Sequence, residues 1–138
     1  MLAPVIEHPP SVVLVVLDGD EIVCVRQHRP GARGIVLELP AGKREDGETA
    51  LEAANRELAE ECGLAVGTWE EIGSFWLAPE YSTERVTVLA GTVSGIASAV
   101  GDADEEIEVV RMPFERAFAE VEDAGSVAGL GLWMRHYG

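Results

Sequence analysis

Residues 42–64 read GKREDGETALEAANRELAEECGL, and the rest of the chain is organised around this stretch. It opens on Gly42, continues through an acidic turn, and ends in a segment with helical periodicity that contains Glu57, Glu60 and Glu61. Glutamates at positions i, i+3 and i+4 project from one face of a helix. Like charges at this spacing disfavour a helix by roughly 0.2–0.5 kcal/mol per pair. The face is therefore either a solvated acidic surface with local ion pairs or a binding site for cations.

The composition limits the partners that the protein can have. The chain has 138 residues, a hydrophobic fraction of 47%, and a net charge of −15 from 25 acidic against 10 basic residues. This length suits one domain with a proper core, and we expect residues 1–138 to form a single domain. Because an acidic surface repels phosphate backbones, we expect neither nucleic acid nor a membrane as partner. An anionic small molecule requires metal ions or the scarce arginines to concentrate positive charge locally.

The two cysteines and the start of the chain indicate the compartment. Cys24 and Cys62 each lie in an apolar segment, which predicts two reduced, buried thiols. The sequence opens without the pattern of a secretion signal, and its apolar runs stay below the roughly 18 residues of a membrane span. We therefore expect a cytoplasmic protein.

Periodicity and turn residues predict a chain that mixes strands and helices. A hairpin turn is expected at Asp18-Gly19-Asp20, a loop at Ser94–Glu106, and a helix that begins at Glu48 and is ended by Gly63. In this first helix the core-facing residues are expected to be Ala50, Leu51, Ala54 and Leu58. The predicted strands are Ser11–Leu17, Glu21–Gln27, Ile35–Leu39, Ala65–Leu77, Glu84–Val93 and Ile107–Met112, and two further helices are predicted at Pro113–Glu122, broken by Gly125, and at Val127–His136.

A cluster of arginines precedes the glycine-led stretch. Arg26, Arg29 and Arg33 lie within eight residues of a very acidic chain. Such a cluster suits either a solvated loop or an anion site, and guanidinium forks fit phosphate oxygens well. We favour the anion site.

The stretch matches every fixed position of the Nudix box, G-x5-E-x7-R-E-U-x-E-E-x-G-U, where U is a bulky aliphatic residue. The chain therefore resembles the Nudix hydrolases. The resemblance implies an α/β fold, an α/β/α sandwich with a mixed β-sheet, and hydrolysis of a diphosphate linked to another group. It also implies a divalent metal cofactor, Mg²⁺, with Mn²⁺ as an alternative.

The resemblance assigns roles to individual residues. Glu57 and Glu61 match the central metal ligands, Glu60 matches a glutamate that assists them, and the backbone carbonyl of Ala41 matches a further ligand. Arg56 and Glu48 match a pair that ties the loop to the helix. An acidic loop before the last strand supplies another metal ligand or the catalytic base in relatives. Glu105 is our choice by its position, and Asp102 or Asp104 could take the same role. The predicted catalytic residues are thus Glu57, Glu60, Glu61 and Glu105.

The flanks of the box resemble the ADP-ribose pyrophosphatase subfamily. The matching segments are Glu38-Leu39-Pro40-Ala41-Gly42-Lys43, Arg26-Gln27-His28-Arg29-Pro30, Pro79 and Ser82-Thr83-Glu84. By this resemblance Arg26, Arg29, Glu84 and Tyr81 are expected to bind substrate. Trp76 and Tyr81 could stack on a base or pack in the core, and we expect Phe75 to pack in the core.

We therefore expect an enzyme that hydrolyses ADP-ribose to AMP and ribose 5-phosphate. Another nucleoside diphosphate sugar or a nucleoside triphosphate is an alternative substrate. A non-catalytic nucleotide-binding sensor is the alternative from a different class, although such a sensor has no need of intact Glu57, Glu60 and Glu61. Relatives are often dimers, so we expect a homodimer.

Overall fold

The computed structural model describes residues 3–97 and 106–138. The predicted catalytic residue Glu105, with its alternatives Asp102 and Asp104, lies outside the described residues. The strands are β1 (Ser11–Asp18), β2 (Glu21–Arg29), β3 (Gly34–Glu38), β4 (Ala41–Lys43), β5 (Leu64–Val66), β6 (Glu70–Trp76), β7 (Arg85–Ile96) and β8 (Glu108–Pro113). The helices are α1 (Ala50–Cys62), α2 (Phe114–Glu120) and α3 (Ala124–Tyr137), and a short 3-10 turn covers Pro30–Ala32.

The eight strands form one mixed sheet in which β1 is central. β1 pairs with β7 in parallel and with β2 and β4 in antiparallel orientation. The β1–β2 pair is the predicted hairpin, and Gly19 takes the positive φ of 64° that its turn requires. β3 and β8 pair with β2, and β5 and β6 pair with β7.

Alternating residues of β1 face two separate hydrophobic cores. Val12, Leu14 and Val16 pack with the buried residues of α1 on one face of the sheet. Val13 and Val15 pack on the other face with Leu130 of α3. Because a strand sends successive side chains to opposite faces, one strand supplies both cores. The predicted α/β/α sandwich with a mixed sheet is confirmed.

Helix α1 begins and ends at well-defined caps. The hydroxyl of Thr49 accepts a hydrogen bond from the Glu52 backbone N–H, and the Glu52 carboxylate accepts one from the Thr49 backbone N–H. This reciprocal capping box places the start of the helix two residues after the predicted Glu48. Gly63 ends the helix at φ 67°, as expected.

The core-facing side of α1 differs from the prediction at two residues. Ala50, Ala53, Ala54 and Leu58 are buried, whereas Leu51 is 49% exposed. The small alanines allow the helix to lie close to β1, so Ala53 takes the buried position. The expectation for Leu51 was wrong.

Several predicted boundaries also differ. β4 was not predicted, because a three-residue strand becomes recognisable only when β1 pairs with it. The predicted strand Ala65–Leu77 is divided into β5 and β6, and β7 continues to Ile96 into the predicted loop. Gly125 was expected to break a helix but lies in the first turn of α3.

Both cysteines are free, as predicted, but only Cys24 is fully buried, whereas Cys62 is partly exposed. Burial raises the pKa of Cys24 to about 11 and that of Cys62 to about 12, so both are protonated thiols at neutral pH. Among residues 3–97 and 106–138, the helices are too short or too polar to cross a membrane.

Candidate metal and diphosphate site

A cavity of about 570 Å³ opens where β1, β4 and α1 meet. Its lining combines carboxylates, one arginine and apolar residues of the sheet. The lining residues are His8, Ser11, Val12, Val13, Gln27, Arg29, Glu38, Ala41, Gly42, Lys43, Glu57, Glu61, Leu77, Glu84, Val86, Ile107, Asp123 and Gly125.

Strand β4 brings the backbone against the glutamates of α1. Gly42 lies opposite Val12 in the sheet, and Ala41 lies opposite Val13. A Cβ atom at position 42 would overlap the carboxylate of Glu57. The backbone N–H of Ala41 approaches Glu61 Oε1 at 3.4 Å. The glycine is therefore required because the Glu57 carboxylate fills the space of a side chain.

Arg56 holds the loop, the strand and the helix together. Its Nε and Nη2 atoms donate to the two carboxylate oxygens of Glu48 at 2.8 and 2.9 Å. Nη2 also donates to the Lys43 carbonyl oxygen at 2.9 Å, and Nη1 donates to Glu57 Oε1 at 2.8 Å. Arg56 lowers the pKa of Glu48 to about 2. The expected pairing of Arg56 with Glu48 is present, and Arg56 also holds the Glu57 carboxylate in position.

The Glu57 and Glu61 carboxylates lie close enough for each to affect the ionisation of the other. Burial raises the pKa of Glu61, and the neighbouring charge of Glu57 raises it further. Burial also raises the pKa of Glu57, while the Arg56 guanidinium opposes that shift. Two half-buried carboxylates this close together repel each other when both are ionised, and a bound cation offsets that repulsion.

This arrangement fits a hard divalent cation. Such ions prefer oxygen ligands, and Mg²⁺ commonly takes one or two carboxylates together with water and phosphate oxygens. Glu57 and Glu61 provide two carboxylates, and the backbone at Ala41 lies directly beside them. Within the described residues, three or more acidic, histidine or cysteine side chains do not gather into a ready-made metal cage.

Glu60 lies at the edge of this site. Its side chain is 40% exposed and its Oε2 accepts from Arg56 Nη1 at 3.3 Å. It does not contribute to the cavity lining described above. The structure therefore brings Glu57 and Glu61 together and leaves Glu60 beside them.

Glu84 lies in the cavity within a small polar cluster. Its Oε2 accepts a hydrogen bond from the Ser11 hydroxyl at 2.6 Å, and its Oε1 lies 3.4 Å from His8 Nδ1. The backbone N–H of His8 donates to the Thr83 hydroxyl at 2.8 Å. His8 and Ser11 were not predicted as site residues, because only the folded chain brings them beside Glu84.

The two arginines expected to bind substrate differ in position. Arg29 lines the cavity, and its Nε and Nη2 donate to both oxygens of buried Glu38 at 2.8 and 2.7 Å. Arg26 is outside the cavity lining and pairs with Glu108 at 3.4 Å. Of the two, Arg29 has the geometry to reach a cavity ligand.

Of the two aromatic candidates, Trp76 ends strand β6 and Tyr81 lies on the loop that follows it. Tyr81 and Trp76 are each 53% exposed, and the Arg85 guanidinium lies 4.9 Å from the centre of the Trp76 ring. Neither ring lines the cavity, although the neighbouring Leu77 does. Phe75 packs against the core, as expected.

The fold and the motif are those of a known family. The NUDIX domain model matches residues 7–130, so the chain belongs to the NUDIX domain family. This finding confirms the resemblance identified in the sequence.

Several proteins are similar to this chain over most of its length. The chain is 33% identical over 121 residues to the ADP-ribose pyrophosphatase of Bacillus subtilis (strain 168), which covers 86% of this chain and 65% of that protein. It is 27% identical over 136 residues to the ADP compounds hydrolase NudE of Escherichia coli (strain K12), covering 93% and 73% of the two chains. A crystal structure of an ADP compounds hydrolase superposes with a TM-score of 0.80 at 26% identity, covering 94% of this chain and 74% of that chain. The chain thus spans slightly less than two thirds of the Bacillus relative.

Proposed function

We propose that this protein hydrolyses the diphosphate of a nucleoside diphosphate sugar, specifically ADP-ribose to AMP and ribose 5-phosphate, with Mg²⁺ or Mn²⁺. The observation that carries the proposal is the Glu57–Glu61 pair, which faces a cavity that also contains Arg29. The family and the names of the similar proteins support the same substrate class.

The proposed metal ligands combine the resemblance to the family with the positions of Glu57 and Glu61 in the cavity lining. Glu57 and Glu61 would hold the metal, with the Ala41 carbonyl and Glu60 as further oxygen donors. When bound, the cation supplies positive charge that offsets the diphosphate and the charge developing at phosphorus. Arg56 keeps the Glu57 carboxylate in place through its 2.8 Å contact.

The remaining residues would bind substrate and manage the proton. Arg29 and Glu84 would contact the substrate within the cavity, with Tyr81 and Arg26 at its periphery. In the reaction the oxygen of a water molecule bonds to one phosphorus, the P–O–P bond breaks, and the proton passes to a base. Glu105 is the proposed base, a role assigned from the sequence alone. The homodimer, the single domain and the cytoplasmic location stay predictions.

Incubation of the protein with ADP-ribose and Mg²⁺, followed by chromatography of the products, tests the proposal. We expect AMP and ribose 5-phosphate in equal amounts. Glu57→Gln should lower kcat by at least about a hundredfold, whereas Glu71→Gln, on the exposed side of β6, should not. If the unaltered chain binds ADP-ribose tightly but does not hydrolyse it, the protein is a binding module rather than an enzyme.

A further inference from the structure

One part of the cavity wall is a polar group contributed by two distant segments of the chain. His8, Ser11 and Glu84 all line the cavity, and Ser11 is adjacent along β1 to the residue that pairs with Gly42. Gly42 is also the point where the backbone meets the Glu57 carboxylate. The polar group therefore lies next to the proposed metal site, where it can contact the part of a substrate that is attached to the diphosphate.

The segment that carries His8 is hydrogen-bonded to the loop before β7. The Ile6 backbone N–H donates to the Tyr81 carbonyl oxygen at 2.7 Å, and the Thr83 backbone N–H donates to the Ile6 carbonyl oxygen at 3.0 Å. The His8 backbone N–H donates to the Thr83 hydroxyl at 2.8 Å. These three bonds hold the backbone of His8 in a defined position beside the cavity.

The His8 ring is held in one tautomer. Its Nδ1 atom lies 2.6 Å from the Pro9 carbonyl oxygen. Because a carbonyl oxygen can only accept, Nδ1 carries the hydrogen of this bond. In the neutral ring Nε2 is then a hydrogen-bond acceptor.

Two acceptor atoms of the polar group are available to a ligand. Glu84 Oε2 accepts from the Ser11 hydroxyl, whereas Glu84 Oε1 and His8 Nε2 lack a hydrogen-bond partner among residues 3–97 and 106–138. Among the partly or fully buried side chains of those residues, Asp123 Oδ1 is the atom that is both unpartnered and buried. Glu84 Oε1 and His8 Nε2 are therefore accessible from the cavity that their side chains line.

These two acceptors favour a ligand group that donates hydrogen bonds and carries no negative charge. The Glu84 carboxylate repels a terminal phosphate. Within the part of the chain that the structure describes, no phenylalanine, tyrosine or tryptophan lines the cavity, so a base finds no such ring to stack on. Neighbouring hydroxyls of a sugar supply two O–H donors without a charge, which fits both acceptors.

We propose that His8 is a specificity-determining residue for the sugar attached to the diphosphate. Its Nε2 accepts a hydrogen bond from one hydroxyl of the terminal ribose, while Glu84 Oε1 accepts from a neighbouring hydroxyl. This inference rests on the proposed function, and it explains why a sugar is preferred there over a further phosphate. A nucleoside triphosphate would place its terminal phosphate against the Glu84 carboxylate, so it is disfavoured.

The test compares ADP-ribose with the methyl ester of ADP, using the complete chain with Mg²⁺. The ester keeps the adenosine and the charge of the diphosphate but lacks the terminal ribose. His8→Phe keeps a flat ring without its nitrogens. We expect this variant to lower kcat/KM for ADP-ribose about three- to tenfold, mainly through a higher KM, and to leave the value for the ester unchanged.

Two further variants provide the controls. His8→Gln can place an amide oxygen near the position of Nε2, so it should recover part of the loss for ADP-ribose. Glu7→Gln changes an exposed neighbour outside the cavity lining and should affect neither compound. If the ester is not hydrolysed, its inhibition constant against ADP-ribose replaces kcat/KM in the comparison.

The outcomes separate this inference from the proposed function. An equal loss for ADP-ribose and the ester in His8→Phe, or no loss for either, overturns the assignment of His8. If the unaltered chain hydrolyses neither compound, the proposed function fails. Calorimetric binding of the two compounds to the unaltered chain and to His8→Phe then decides the role of His8. Weaker binding of ADP-ribose alone supports it, whereas equal weakening, no change or no binding at all overturns it.

Discussion

The carboxylate of Glu57 occupies the space that a Cβ atom at Gly42 would fill. This relationship explains why a glycine begins the Nudix box in this chain. The neighbouring atoms belong to the end of a flexible side chain rather than to the backbone. A larger residue at position 42 would therefore move the carboxylate and leave the fold in place.

Gly42→Ala is expected to separate activity from stability. The new methyl group displaces the Glu57 carboxylate from its 2.8 Å contact with Arg56. We expect Mn²⁺ affinity by calorimetry and kcat/KM for ADP-ribose to fall at least about tenfold, within the range seen when residues supporting a metal site change. Thermal unfolding should shift by only a few degrees, since the substitution costs about 1 kcal/mol of unfolding free energy. Gly95→Ala is the matched control, because its Cβ meets open space, and equal activity of the two variants would contradict the explanation.

Glu61→Gln is expected to stabilise the metal-free protein. Burial and Glu57 raise the pKa of Glu61 in the folded state above the ordinary value of 4.5. The contribution of Glu61 to the free energy of unfolding is therefore complete below pH 4.5. It is lost as the pH rises through the raised pKa. The melting temperature of the variant should exceed that of the unaltered chain by a few degrees at neutral pH, and the two should converge in acid.

Saturating Mg²⁺ provides the control for this comparison. A bound cation offsets the repulsion between Glu57 and Glu61, so it should raise the melting temperature of the unaltered chain more than that of Glu61→Gln. The variant should also lose hydrolytic activity. An identical pH profile of melting temperature for both proteins would show that the carboxylate pair carries no such repulsion.

Glu48→Gln is expected to have the opposite dependence on pH. Arg56 holds the pKa of Glu48 at about 2, below its ordinary value of 4.5. The stability from this pair is present above pH 4.5 and is lost as the pH falls toward about 2. We expect the variant to lose about 1.5–3 kcal/mol in urea unfolding at neutral pH, a value typical of hydrogen bonds to charged groups.

The loss in Glu48→Gln should shrink as the solution is acidified. Glu45→Gln is the control. In the unaltered chain the exposed Glu45 carboxylate lies 3.6 Å from Arg56 Nε, without the pairing through both oxygens that Glu48 makes. A constant difference at every pH would mean that the variant acts through packing rather than through charge.

Thr49→Ala should destabilise helix α1 without altering the site. The substitution removes the hydroxyl of the capping box and is expected to cost about 1 kcal/mol. Thr49→Ser keeps the hydroxyl and should restore the melting temperature. Both variants should retain the KM of the unaltered chain, and a raised KM would show that the start of the helix reaches the substrate.

The parts of the fold that could be predicted depend on local signals. Gly19 and Gly63 mark a turn and a helix end because a positive φ favours glycine, and this reads directly from the sequence. The face of α1 was only partly predicted. Leu51 is the larger side chain, but the closeness of the helix to the sheet selects Ala53, and that distance is a property of the packed molecule.

The site itself depends on contacts between distant segments. The sequence placed Arg29 in a cluster that favours an anion site, whereas the fold pairs its Nε and Nη2 atoms with Glu38. His8 and Asp123 reach the cavity from opposite ends of the chain, so no spacing rule connects them with Glu57. Glu57 and Glu61 could be identified because their geometry is that of a single helix.

Val12 and Val13 belong to the two opposite hydrophobic cores, and both also line the cavity. The floor beneath the substrate is therefore the interior of the protein itself. Substitutions in that floor, made to accommodate a different nucleotide, would disturb the packing of both hydrophobic cores. Redesign of selectivity has to proceed from the walls, at Leu77 and Asp123, which line the cavity and lie outside the strands.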